Sequence, residues 1–333
     1  MSPAARRLLP LLLFCLAAPL ACADAVVLRF SLAEARDTPN GRAAERFRQL
    51  AARYTQGKVE VRIFPSGELY KDREDLGALQ VNAVQMLVPA LGKLARLGLR
   101  RFELFDLPYL FPDDQAVHRV LDGPSGRALF EDLDDYGLVG LTYWDEGFLH
   151  FSANRSLKRA EDFRGLKLRV APAPLLEARL RALGAQPRPM AADEAFGALE
   201  QGLLDGAEFT LPDFDALRMQ SAQRHLALSW HGWQGNAVVV NKRFWDDLPN
   251  DLRGGLIEAL RQATVYQRKL AAEDNRRALA AITATGVTEV QPIPLAERER
   301  MRQLMRPVLE RYAESVDRAL LERVQRVVGA SRR

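Results

Sequence analysis

The stretch Arg164-Gly165-Leu166-Lys167-Leu168-Arg169-Val170-Ala171-Pro172-Ala173-Pro174 holds a strand, its end and the start of a helix within eleven residues. Leu166 to Val170 alternates apolar and basic side chains, as a strand does. Two prolines then stop it before an amphipathic segment carrying Leu175, Leu176, Arg179, Leu180 and Leu183. Pro174 suits the first helical turn, where its missing N–H is not needed. Open α/β sheets bind ligands where strand ends face helix starts, and a guanidinium there offers a planar fork that grips a carboxylate through two parallel hydrogen bonds. Arg169 is therefore the expected ligand anchor, provided the rest of the chain builds a site around it.

Upstream, Val26, Leu28, Phe30 and Leu32 alternate with polar and smaller residues, and Asp37-Thr38-Pro39-Asn40-Gly41 breaks the strand before a helix whose apolar face holds Ala43, Phe47, Leu50, Ala51 and Tyr54. Val59, Val61 and Ile63 mark a second strand, so residues 26–64 form a β-α-β unit that requires a parallel sheet. Arg73 to Asn82 reads as a helix, Val84 to Val88 as a short buried strand, and the proline- and aromatic-rich segment 103–112 as a packed connection before a helical region that ends near Asp135. Leu138–Trp144 and Phe148–Ser152 read as extended crossings between lobes. Downstream of Arg169 the β-α-β rhythm continues to the Asp205-Gly206 turn. Leu226–Trp230 and Ala237–Asn241, separated by an aromatic and glycine cluster, then read as a second crossing. Pro249 to about Thr285 has almost no breaker and predicts a helix of roughly 50 Å, long enough to brace two lobes. Val287–Val290 reads as a last strand, and Leu295 to Val328 as highly charged helix with a solvated face.

The chain has 333 residues, 48% of them apolar and 27% charged, as expected of a globular protein with room for two domains. Arg6 and Arg7 precede the apolar run Leu8 to Leu20, and Ala21-Cys22-Ala23 gives the small-x-small pattern of a secretory signal, with cleavage expected near Ala23. The run is too short to span a bilayer. Cys22 also admits a lipoprotein signal, although Pro19 stands where such signals carry leucine. The only cysteines are Cys15 and Cys22, so a chain cleaved after Ala23 has no disulfide, thiol nucleophile or cysteine metal site. Losing Arg6 and Arg7 lowers the formal charge from +4 to +2, which is no nucleic-acid footprint.

His118, His150, His225 and His231 show no metal-ligand spacing, no Gly-rich phosphate loop follows a strand, and no glycine-flanked serine forms a nucleophile elbow. No cofactor, no metal and no catalysed reaction are expected. An exported, two-lobed α/β chain with an arginine at a strand end suits a clamshell receptor.

The chain resembles the solute-binding subunit of TRAP transporters (tripartite ATP-independent periplasmic transporters), of the dicarboxylate-binding type. Residues carrying the resemblance are Asp37-Thr38-Pro39, Phe64 to Tyr70, Leu104 to Phe111, Asn154-Arg155, Gly165 to Val170, Leu183-Gly184-Ala185, Asp205 to Glu208 and Asn241 to Trp245. It implies a type II-like, two-lobed periplasmic binding fold with a β-strand hinge and a long helix spanning both lobes. The lobes are expected at 24–146 with 235–274 and at 147–234 with 275–333, after a signal peptide at 1–23. It further implies a periplasmic monomer that pairs an organic acid's carboxylate with Arg169 and delivers it to the membrane permease subunits. Lys93 is the expected second cation, and Trp144, Phe209 and Trp233 the expected apolar walls.

Three positions depart from the family pattern. Leu149 stands where many members carry a cation, Phe209 where an asparagine assists the carboxylate, and Ala192 where an aromatic follows Pro189-Met190. These departures leave fewer polar contacts for the ligand's far end and predict a monocarboxylate with an aliphatic or aromatic tail, such as a keto or hydroxy acid. Lys93, Arg36 and Arg96 are long enough to keep a dicarboxylate open. The competing classes are an exported enzyme on a two-lobed scaffold and a ligand-sensing receptor for a membrane kinase; fold alone does not separate them.

Overall fold

The computed structural model describes residues 25–71 and 74–330. The expected signal peptide, its cleavage site and both cysteines lie outside these residues. The chain begins with β1 (Val26–Ser31), α1 (Pro39–Tyr54) and β2 (Val59–Phe64), and β1 pairs parallel to β2 from Val26 with Val59 to Ser31 with Phe64, as the β-α-β reading requires. The Thr38 hydroxyl caps α1 by accepting the Gly41 N–H at 3.2 Å. Gly41 has no room for a side chain, since a Cβ there would lie 2.2 Å from the Ala35 carbonyl oxygen. Next come α2 (Asp75–Gln80), β3 (Met86–Leu87), α3 (Leu91–Arg96), a 3₁₀ turn over Arg100–Asp106, α4 (Asp114–Leu121) and α5 (Pro124–Glu131).

A long strand, β4 (Leu138–Ala153), leads to β5 (Lys167–Val170), α6 (Pro174–Ala182), β6 (Gln186–Pro189), α7 (Ala195–Glu200), β7 (Gly206–Thr210) and α8 (Leu211–Ala216). A second long strand, β8 (His225–Asn241), returns before α9 (Lys242–Asp247), α10 (Asn250–Ala284), β9 (Glu289–Pro292), α11 (Leu295–Leu304), α12 (Arg306–Tyr312) and α13 (Arg318–Gly329). The sheet order is β2-β1-β3-β8-β4-β7-β5-β6, with β9 beside β8. Each lobe thus has its own parallel group, β2-β1-β3 or β7-β5-β6, and the antiparallel pair β4 and β8 joins them.

The stretches expected as separate crossings are therefore single strands of 16 and 17 residues. Their pairing slips between Gly140 and Thr142, between Asp145 and Gly147, and between Leu149 and Phe151. At the last slip Leu149 faces Gly232 while Phe151 faces Ala227, so Leu228–His231 bulge outward. Trp230 within that bulge has φ 47°, in the left-handed region. His150 holds it, its Nδ1 accepting the Ser229 N–H at 3.1 Å and the Trp230 N–H at 3.4 Å.

The long helix α10 has 35 residues and packs on α1, β4 and α8, so it touches both lobes and the hinge. Buried Gln267 reads the hinge backbone like a neighbouring strand: its Oε1 accepts Asp145 N–H at 2.9 Å and its Nε2 donates to Asp145 O at 2.7 Å. One turn pair further on, Asn275 donates to Glu146 O at 2.7 Å. The charged C-terminal segment is not only a solvated face. Met301, Val308, Tyr312, Leu320, Leu321, Val324 and Val328 form a buried stripe, with α12 against α6 and α13 against α4 and α5. Charge at the remaining helical positions masked that stripe in the sequence.

Candidate functional site

Arg169 lies on β5 beside Ala207 of β7, at the strand end that faces α6. Its residue is 7% exposed. Its Nε donates to Met190 O at 3.1 Å and its Nη1 to Glu208 O at 3.4 Å, while the guanidinium carbon sits 5.2 Å from the centre of the Phe209 ring. Among the described residues no hydrogen bond holds Nη2. Burial pulls this guanidinium below its ordinary value, against the opposing charges of Glu208, Asp213, Asp193 and Glu194. The side chain is thus positioned by neutral carbonyls and an aromatic face, with its positive charge not consumed by a direct ion pair.

A cavity of about 850 Å³ opens nearby, between the two parallel groups. The β1–α1 turn supplies Glu34, Asp37 and Asn40, the segment after β3 supplies Val88, Pro89 and Ala90, and β4 supplies Asp145 and Glu146. From the other side come Ala192 and, on α8, Asp213 and Asp215, with Asp274 and Arg277 of α10 across the end. Arg169 stands behind this wall, close enough for its charge to lower the Asp213 carboxyl against the upward push of burial. Burial holds the Glu146 carboxyl well above the usual carboxylate range, and the nearby Asp213 and Glu34 push it the same way. The cavity wall combines carboxyls with apolar surface from Val88, Pro89, Ala192, Pro212 and Ala278.

Of the other expected site residues, Ala192 lines this cavity, and Phe209 sits beneath Arg169 with its ring buried. Lys93 lies behind the wall, its Nζ 2.5 Å from Oδ1 of Asp75, which does line the cavity. Leu149 is buried in β4 between Thr210 and Gly232 and is not among the cavity-lining residues. Trp144 is fully buried beside Phe30, with its Nε1 donating to Thr264 at 3.1 Å. Trp233 packs in the core against Phe105 and Phe111. The two tryptophans therefore support the lobes and do not face the cavity.

The sequence did not reveal the polar network behind Arg169. Arg179 of α6 is completely buried; its Nη2 donates to both oxygens of Glu208, at 2.8 and 2.7 Å, and its Nη1 to Asp106 O at 3.3 Å. His231 Nε2 lies 3.0 Å from Glu208 Oε2, its Nδ1 2.7 Å from Ser229 Oγ, and its ring is stacked on Phe151. Despite burial, Arg179 and then His231 hold the Glu208 carboxyl down at about 2. Burial pushes His231 down to about 4 and His150 to about 3. The available signal was Arg179 itself, an arginine in the apolar stripe of an amphipathic helix, which calls for a buried partner. Among the described residues no group of three or more His, Cys, Asp or Glu is arranged to hold a metal ion, and no helix is long and apolar enough to cross a membrane.

Two parallel groups joined by a pair of long strands, with a cavity between them and a buried arginine behind its wall, define a two-lobed solute-binding protein. The chain belongs to the bacterial extracellular solute-binding protein family 7, whose family model matches residues 30–315. It is 43% identical over 296 residues to the C4-dicarboxylate-binding periplasmic protein DctP of Rhodobacter capsulatus, covering 89% of each chain. A TRAP periplasmic solute-binding protein from Shewanella oneidensis, solved with bound succinate, superposes with a TM-score of 0.83 at 33% identity, covering 91% of this chain and 99% of that one. Another, from Ochrobactrum anthropi with its C-terminus in the ligand pocket, gives a TM-score of 0.88 at 31% identity, covering 93% and 96%.

Proposed function

We propose that the protein is the periplasmic receptor of a TRAP transporter, capturing a small organic acid between its lobes by pairing one carboxylate with Arg169 and handing it to the membrane permease subunits. Arg169 carries this reading: it stands at a strand end beside the interlobe cavity, held by carbonyls, with no carboxylate bonded directly to its guanidinium. Relatives named for C4-dicarboxylates and a neighbour holding succinate support the organic-acid class. On this reading the chain is exported after cleavage near Ala23, acts as a monomer and catalyses no reaction. Its lobes comprise 24–146 with 235–274 and 147–234 with 275–333. Ala192 contributes to the ligand wall, Phe209 supports the anchor, and Lys93 acts through Asp75 at the edge of the cavity.

The test is a thermal-shift screen of the mature chain against organic acids, repeated with Arg169→Ala. An acid at a hundred times its dissociation constant adds about 2.7 kcal/mol to stability. At least one acid is expected to raise the melting temperature of the parent and not of the variant. Equal shifts in both proteins remove Arg169 from the site.

A further inference from the structure

Asn236 lies on the hinge strand β8, opposite Trp144 of β4, and on its other side Ala90 pairs with it in an isolated antiparallel bridge. The next residue's N–H donates to Pro89 O at 3.0 Å, so the backbone around Asn236 is fixed from both sides. The residue is only 3% exposed, yet it lines the interlobe cavity. Among the described residues no hydrogen bond reaches its side-chain amide, and neither amide atom is sealed off from open space. Other buried amides nearby are engaged by the protein. Asn40 bonds to Glu34 and Gln267, Gln267 also holds the backbone of Asp145, and Asn241 donates to Leu79 O and caps α9. A buried amide with no partner is destabilising, so Asn236 stands out as a group whose hydrogen bonds are made into the cavity.

Resting on Arg169 as the carboxylate anchor, we infer that Asn236 hydrogen-bonds an oxygen at the ligand's far end. It thereby selects short acids with a second oxygen function, a hydroxyl, a carbonyl or a second carboxylate, over alkyl acids of the same length. The two residues approach the cavity from different parallel groups, Arg169 from β5 and Asn236 from β8 beside β3, so together they grip a ligand at two points. Arg277, which lines the cavity, is paired with Asp274, and Lys93 behind the wall with Asp75, whereas the Asn236 amide is not bonded to protein. That amide carries two N–H donors, which only an acceptor satisfies. A ligand ammonium would bond its carbonyl and leave both donors orphaned, the rarer and costlier outcome for buried groups. An alkyl chain would leave the whole amide unpaired. A site built to hydrogen-bond a ligand group rejects the analogue lacking that group far more strongly than an apolar pocket rejects an extra methylene.

The experiment measures four acids of one chain length by titration calorimetry: butyrate, 4-hydroxybutyrate, succinate and 4-aminobutyrate. The parent is expected to bind 4-hydroxybutyrate or succinate at least about tenfold more tightly than butyrate, and 4-aminobutyrate no better than butyrate. Whichever of the two oxygenated acids binds more tightly tells whether the oxygen is a hydroxyl or belongs to a second carboxylate. Asn236→Leu keeps the side chain's approximate shape without its amide and is expected to erase that preference, weakening the oxygenated acid and leaving butyrate unchanged or tighter. Circular dichroism melting checks that the variant folds. Should leucine disturb the strand, Asn236→Ala and the parent's own ranking of butyrate against its oxygenated analogues decide the matter. Equal binding of butyrate, tightest binding of 4-aminobutyrate, or a preference unchanged in Asn236→Leu overturns this inference and, where binding is still lost in Arg169→Ala, leaves the receptor reading intact. Binding of none of the acids, or binding unaffected by Arg169→Ala, overturns both.

Discussion

Arg169 at the end of β5 and Arg179 in the middle of α6 are both buried, yet their surroundings give them different tasks. Arg179 donates to both oxygens of Glu208, and His231 and Ser229 extend that network, so its charge is spent inside the protein. Arg169 meets two main-chain carbonyls and the face of Phe209, so its charge remains available to a ligand. Burial alone therefore does not distinguish a structural cation from a binding one. The charge of the partners does.

The sharpest way to break this comparison is to truncate both arginines. Arg179→Ala leaves Glu208 buried without its main partner and is expected to cost about 3–5 kcal/mol of stability, read as a lower midpoint in urea unfolding. Arg169→Ala is expected to leave that midpoint nearly unchanged and to weaken acid binding at least about a hundredfold, or roughly 2.7 kcal/mol. If the two variants lose stability equally, the division of labour is wrong. Arg169→Lys sharpens the point, because an ammonium keeps the charge but not the planar fork, and calorimetry should place its affinity between the parent and the alanine variant.

A smaller effect should appear with pH. Glu208, His231 and His150 all have folded-state values below their ordinary ones, so each contributes stability that is fully present above its unfolded value. The histidine contribution is lost as pH falls from about 6.5 toward 4 and then 3, and that of Glu208 follows as pH falls from the ordinary carboxylate range toward 2. Melting temperature should therefore fall between neutrality and pH 4 in the parent, and fall less steeply in His231→Gln. A parallel decline in both proteins would exclude His231 from the acid response. The smallest effect expected is on motion. Gly147 has φ 149° and a Cβ there would lie 2.5 Å from Asn275 Oδ1, so Gly147→Ala should disturb the clamp of α10 on the hinge. Small-angle scattering should show the parent contracting with a saturating acid and the variant contracting less; equal contraction would show that this contact does not limit closure.

Much of this fold was legible because local signals agreed. Alternation in Val26–Leu32 and Val59–Ile63, with Pro39 and Gly41 between them, leaves little choice but a parallel β-α-β unit. The hinge was harder to read: Gly147 and the Leu228–His231 bulge interrupt the alternation, so two continuous strands looked like four shorter extended segments. Arg169 was legible from its place after a strand. Its neighbours were not, since Glu208 is 29 residues from Arg179 and 23 from His231, and Glu146 comes near Asp213 only once β4 and α8 are brought together. Trp144 and Trp233 illustrate the converse limit: aromatic character marks a large apolar side chain but not the side of the sheet on which it packs.

The pairing of β3 with β8 also has a consequence in time. Met86 finds its partner in Val240 and Leu87 in Val239, so the sheet begun by the first strands stays incomplete until more than two-thirds of the chain has been made. Ribosomal synthesis runs at about 5–20 residues per second, so these early strands wait many seconds for a strand that must come from the far side of the other lobe. Such distant pairing slows folding, since the loop must close before any contact rewards it. The segment that completes the first lobe's sheet therefore emerges late, and connectivity itself delays the folding of the early strands.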